Sequence, residues 1–239
     1  MYENLFIYLS IFILVSIQSI IGVGILVIGT PLLLLLKFNM IEILSILLPI
    51  SILTSLLNFI FIKLKEKKIK LSIDKNLKKK FILICAPSIF FGLLILKSFE
   101  KIINFNYLVS FVIFVSIFLA NFVKKKIVTN NLKTIFLILV GFVHGVTNSG
   151  GSLLSLLISS TNEKNYSRYN ITFFYFFLAL FQYTIFLIVF NNHKIFNSNF
   201  EIIIPIFAGL IFGNILFKFF DDKFFKLLIK FLALLASIF

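Results

Sequence analysis

Apolar residues in this chain do not alternate with polar ones; they run together in long blocks. Segments near residues 4–21, 25–37, 41–62, 81–97, 103–123, 133–146, 151–160, 170–190, 200–219 and 223–239 are dominated by Leu, Ile, Phe and Val. Short polar or lysine-rich stretches separate them. A helix that is apolar all round needs an apolar surround. About 20 such residues cross the hydrocarbon core of a bilayer. Two blocks, 25–37 and 151–160, are too short for that. Each follows an interruption: "IIGVGILVIGTP" in the first case and "VHGVTNSGGS" in the second. One straight helix over 4–37 would be roughly 50 Å long at 1.5 Å per residue, far longer than the core. Each region therefore reads as a broken helix or a hairpin of two short helices.

The two interrupted regions match at an offset of 123 positions, where Gly22 meets Gly145, Val23 meets Val146 and Asn39 meets Asn162. The order of elements repeats as well: a break, then three spans, then the same again. The third element of each half carries proline followed by glycine, "APSIFFG" at 86–92 and "IPIFAGLIFG" at 204–213. Both residues are tolerated in membrane helices where neighbours satisfy the freed backbone. The expected fold is all-α: a polytopic transmembrane helical bundle of two repeats, residues 1–126 and 127–239, each a broken helix or hairpin followed by three spans.

Charge sets the expected orientation. If both broken regions return to the side they left, 18 basic residues fall on one side and 4 on the other. If each crosses once, the division is 14 against 8. Basic loops stay cytoplasmic, so the hairpin reading is favoured. It places both termini outside and gives the two halves inverted topology, a signature of many secondary transporters. The basic loop 63–80 is then cytoplasmic and meets anionic lipid headgroups. The expected location is the inner (cytoplasmic) membrane, crossed many times.

Composition agrees. The chain is 60% hydrophobic and 13% charged, with a mean hydropathy of +1.11; a soluble domain is nearer 45–50% apolar and about 25% charged. The N-terminal run has no basic region and no small-residue cleavage site, so it reads as a retained helix. The net charge of +14 suits orientation in a membrane better than nucleic acid as a partner. Cys85 is the single cysteine, so no internal disulfide forms. No metal-ligand spacing, nucleophile elbow or phosphate loop is present. No catalytic residues, metal or cofactor are expected.

The breaks carry the candidate chemistry. A helix that starts inside the membrane aims free N–H groups and a positive dipole end at the interruption, which suits an anion. The second break adds donors from Thr147, Asn148, Ser149 and Ser152, while Gly150 and Gly151 permit close backbone approach. The first supplies Gln18, Ser19, Gly22, Gly24, Gly29 and Thr30, with Pro31 opening the following apolar run. The competing reading is that these small residues only let helices pack closely. Arg168 is the one arginine among 23 basic residues; it reads either as a planar fork for an oxyanion or as a snorkelling anchor at the interface. His144 beside the second break reads as a packed neutral residue or a proton relay, and Gln182 as interhelical glue.

"QSIIGVGILVIGTPLLLLL", then "GFVHGVTNSGGSLLSLLI" with "NYSRYNITFFYFF", resembles the two repeats of the sulfite exporter TauE/SafE family of membrane permeases. The Pro-then-Gly third helices fit it too, and the resemblance covers about residues 8–239. Two features depart from the family pattern: "ILVIG" stands before the first proline, and Gly150-Gly151 replaces the usual Gly-Pro. The resemblance implies movement of small sulfur-containing anions, such as sulfite or organosulfonates, across a bacterial cytoplasmic membrane.

The expected function is secondary transport of a small anion by alternating access between inverted repeats. The expected anion site comprises Gln18, Gly22, Gly24, Thr30, Pro31, Thr147, Asn148, Ser149, Gly150, Gly151 and Arg168. A non-transporting membrane scaffold is the alternative, and a homo-oligomer is compatible with either.

Overall fold

The computed structural model describes residues 2–65, 72–99, 130–160, 162–190 and 200–238, with isolated positions between 102 and 114. Among these residues the structure is helical and contains no strand. The helices are α1 (Tyr2–Ile21), α2 (Ile25–Leu35), α3 (Met40–Lys65), α4 (Lys75–Phe99), α5 (Asn130–Thr147), α6 (Gly150–Ser159), α7 (Lys164–Phe190), α8 (Ile203–Leu216) and α9 (Asp222–Ile238). Three of them, α3, α4 and α7, are long and apolar enough to cross a membrane. The expected span at 103–123 lies largely outside the described residues.

Both interruptions are real. Residues 22–24 separate α1 from α2, and residues 148–149 separate α5 from α6. The long helices α3 and α7 pack against each other, with α2 on α3 and α6 on α7. The outer pairs are crossed: α1 packs on α8, and α4 packs on α5. Exchanging the first half for the second maps this set of pairings onto itself.

Glycine explains how the outer pairs come so close. A side chain at Gly92 of α4 would lie 2.5 Å from the Phe142 carbonyl oxygen and 2.9 Å from Cα of Gly145. Gly141 would meet the Cys85 carbonyl oxygen at 2.6 Å. On the other side, Gly209 of α8 would meet the Phe12 carbonyl oxygen at 2.7 Å, and Gly213 abuts the Ser16 carbonyl. Such backbone-on-backbone packing is how membrane helices associate when lipid offers no hydrophobic contrast. The glycines of the Pro-then-Gly pattern are therefore contact points.

Three expectations are corrected. Gly22 does sit at its break, with φ +94, but Gly145 lies inside α5 against Gly92; the residue with positive φ at the second break is Asn148, at +66. The structural offset between the breaks is thus 126 (Gly22 to Asn148), not 123. Asn39 and Asn162 do not correspond either. Asn39 makes a reciprocal cap with Glu42 at the start of α3 (3.0 and 2.9 Å), whereas Asn162 donates to the Ile158 carbonyl at the end of α6 (2.8 Å). Finally, both ends of the expected loop 63–80 are helical: residues 63–65 close α3, and 75–80 open α4. Lysine has good helix propensity, and Asp74 caps the α4 start by accepting from the Leu77 N–H at 3.0 Å.

Candidate functional site

At the first break Gly22 turns the chain, and its N–H donates to the Gln18 carbonyl at 2.7 Å. Its missing side chain leaves room for Thr172 of α7, whose Oγ1 would sit 2.7 Å from a Cβ there. The interruption strips the last carbonyls of α1 of their helical donors. Arg168 replaces them. Its Nε and Nη2 donate to the Ser19 carbonyl at 2.9 and 2.6 Å. The same Nη2 donates to Oδ1 of Asn58 (3.3 Å) and of Asn214 (2.5 Å). Asn58 Nδ2 adds a third donor to Ser19 at 3.2 Å, and Asn214 Nδ2 donates to Asn58 Oδ1 at 3.0 Å. The guanidinium lies 4.1 Å over the Phe217 ring. This knot joins α1, α3, α7 and α8, and it sets a cation at the negative end of α1. Arg168 is 3% exposed, which rules out the snorkelling anchor.

The start of α2 is also satisfied. Gln18 Oε1 accepts from the Ile25 N–H at 3.0 Å, while Gln18 Nε2 donates to the Ser51 carbonyl (3.1 Å) and Ser55 Oγ (2.9 Å). The Leu26 N–H donates to the Tyr175 hydroxyl at 3.3 Å. Thr30 and Pro31 are buried in the second turn of α2.

The second break has a different texture. The Asn148 N–H donates to the His144 carbonyl (3.0 Å), and Gln182 Nε2 donates to the same oxygen (2.8 Å). Gln182 is thus glue, as expected. The Ser149 N–H donates to Thr147 Oγ1 at 3.3 Å, Thr147 Oγ1 to the Val143 carbonyl at 2.8 Å, and Ser149 Oγ to the Thr147 carbonyl at 3.1 Å. Asn148 Nδ2 crosses to the other half and donates to Thr30 Oγ1 at 3.0 Å. Gly151 packs on Val23 and Tyr175; Gly150 packs on the Val140 carbonyl and on His144.

The structure therefore brings Asn148, Thr30, Gly24 and Gly151 to one junction between the halves. Residues Val23, Gly24 and Val27 of the first half face Ser152 and Ser155 of the second across a narrow cleft, with Ile229 of α9 on its wall. Gln18 and Arg168 stand behind the first break as braces. Asn58, Asn214, Ser51, Thr172 and Tyr175 were missed; the available signal was that each is a polar position inside an apolar span. A second, small cavity lies between the starts of α4, α5 and α7 and the end of α6, lined by Asp74, Lys133, Asn162, Tyr166 and Asn170.

Several buried polar atoms in the breaks and the adjoining helices have no hydrogen-bond partner: the hydroxyls of Ser19, Thr54, Ser167 and Thr172, Oδ1 of Asn148, Oε1 of Gln182 and both ring nitrogens of His144. Native structures contain few such atoms, and each asks for a reason.

Apolar spans, crossed helix pairs and two interruptions meeting centrally define an integral membrane protein built around broken helices. The sulfite exporter TauE/SafE family model matches residues 7–239, and the chain belongs to that family of membrane transporters. No match was found among curated proteins or among solved structures.

Proposed function

We propose that this chain is a secondary transporter that carries a small anion, of the sulfite or organosulfonate kind, across the cytoplasmic membrane. The observation that carries the reading is the junction itself. Two broken helices from different halves meet there, α2 touches α6, and one side-chain bond, Asn148 to Thr30, ties them. The halves 1–126 and 127–239 act as inverted repeats, and rocking one against the other opens the junction to alternate sides. The anion is held by the N–H groups at the start of α6, around Ser149, Gly150 and Gly151, with the Asn148 amide and the Thr147 and Thr30 hydroxyls. In this structure the Asn148 amide donates to Thr30 and the Ser149 N–H to Thr147, so the anion takes over these two bonds. A helix start supplies donors without burying a lysine. The basic stretches at 63–80 face the cytoplasm and its anionic lipid.

The test is flux. Purified protein in liposomes is offered sulfite, sulfate, methanesulfonate and taurine, with chloride as control. Saturable uptake of at least one sulfur anion is expected. Uptake equal to that of protein-free liposomes across the whole panel would remove the transport reading.

A further inference from the structure

His144 is fully buried one turn before the end of α5, and neither ring nitrogen has a hydrogen-bond partner. An imidazole with both nitrogens unmet is costly in a medium without water. Two other unmet atoms belong to its neighbours. Asn148, whose N–H closes on the His144 carbonyl, leaves Oδ1 without a donor. Gln182, whose Nε2 holds the same carbonyl, leaves Oε1 without a donor. Both side chains are fully buried. The amide orphans are therefore acceptors, and a neutral imidazole has only one N–H to give.

A protonated imidazole has two. We propose that His144 is the proton-binding residue of this transporter, so that a proton and an anion cross together. The inference rests on the transport reading above and deepens it. The imidazole takes one proton from water while the junction is open to one side and becomes imidazolium. It returns that proton to water on the other side, so the residue ends unchanged. The positive charge forms close to the start of α6, where the missing side chain of Gly150 leaves room for Cβ of His144. A cation there favours an anion at the same helix start, and by reciprocity the anion favours the proton. One monoanion and one proton together carry no net charge across the membrane.

The surroundings permit this. Helix α5 packs against α4, α6 and α7. From α7 the titratable group facing His144 is Tyr175, its ring 6.2 Å away. On α4 the titratable group against α5 is Cys85, whose thiol donates to the Leu137 carbonyl about two turns before His144. The sequence of α6 contains no titratable residue. Arg168 is turned onto the end of α1.

The probe is labelled methanesulfonate, a strong-acid anion that does not leak through lipid as a neutral acid. It is offered to proteoliposomes with an imposed pH difference and potassium-clamped voltage. The steady-state ratio of inside to outside anion is read, because that ratio does not depend on rate. For one proton per monoanion it should follow the proton ratio, about tenfold per pH unit. In His144→Gln it should fall to about one. An entrapped pH dye gives a second readout on the native chain: adding methanesulfonate outside should acidify the lumen. A native protein that moves methanesulfonate at a ratio of one, with no lumen acidification, overturns the proton site while leaving transport standing. Retained pH-driven accumulation in His144→Gln overturns it too. A native protein that moves no sulfur anion overturns the transport reading and this inference with it.

Discussion

The two helix breaks occupy corresponding places in the two halves but are finished in different ways. The first is tied shut. Arg168, Asn58 and Asn214 converge on the end of α1, and Gln18 and Tyr175 take up the first N–H groups of α2. Its unmet atoms are hydroxyls, which rotate to suit. The second break has one amide, Gln182, on its last carbonyls, and it leaves an imidazole and two amide oxygens unmet in a buried place. Corresponding position does not imply equivalent work. The first break is braced by side chains, and the second keeps the unmet imidazole and amide oxygens.

The largest expected effect breaks the brace. Arg168→Ala leaves the Ser19 carbonyl and two asparagine oxygens short of donors, a loss of roughly 3 kcal/mol or more. Arg168→Lys should recover only part of it, since a point charge cannot replace a fork. Thermal melting in detergent reads both. If Arg168→Ala and Arg168→Lys melt with the native protein, the first break is not held by this knot.

Next in size is the packing glycine. Gly145→Val forces a branched side chain onto the α4 backbone at Ile89 and Gly92, and overpacking of this kind costs about 1–3 kcal/mol. It should lower the melting temperature as an α4–α5 defect. Were Gly145 the turn residue of the break, Gly145→Asn would be tolerated, because Asn accepts positive φ. An Asn variant as stable as the native chain would restore the 123 offset.

The smallest expected effect separates conformation from chemistry at Asn148. Its φ of 66 is left-handed, where Ala costs about 1–2 kcal/mol and Gly costs little. Asn148→Ala should therefore be less stable than Asn148→Gly, although both lose the bond to Thr30. Equal melting of the two variants would show that the turn is not strained.

Much of the frame was legible in the sequence. Long apolar blocks can only be membrane helices, and two blocks too short to cross, each after a glycine-rich gap, can only be fragments. What identity matching misplaced was the register of the second break. In so biased a chain glycine serves two purposes, turning at Gly22 and packing at Gly145, and the letters are the same. The roles of Arg168 and Gln18 were also out of reach. Gln18 reads as facing a ligand and Arg168 as either an oxyanion fork or an interfacial anchor, but the open ends of a broken helix are themselves ligands, and these side chains bind them. The partners that decide this, Asn58 and Asn214, come from distant spans whose pairing no local pattern encodes. For His144 the sequence offers both a packed neutral residue and a proton relay and does not choose between them, because its unmet nitrogens exist only once the helices enclose it.

The claim that the anion passes where Asn148 meets Thr30 is tested most directly by the Michaelis constant for methanesulfonate flux in liposomes bearing Asn148→Gly. That variant keeps the turn and removes one donor amide. A hydrogen bond to a charged group is worth about 1.5–3 kcal/mol, so the constant should rise roughly 10- to 150-fold with the melting temperature nearly unchanged. A constant equal to the native value, in a protein that is folded and transporting, would place the anion path elsewhere.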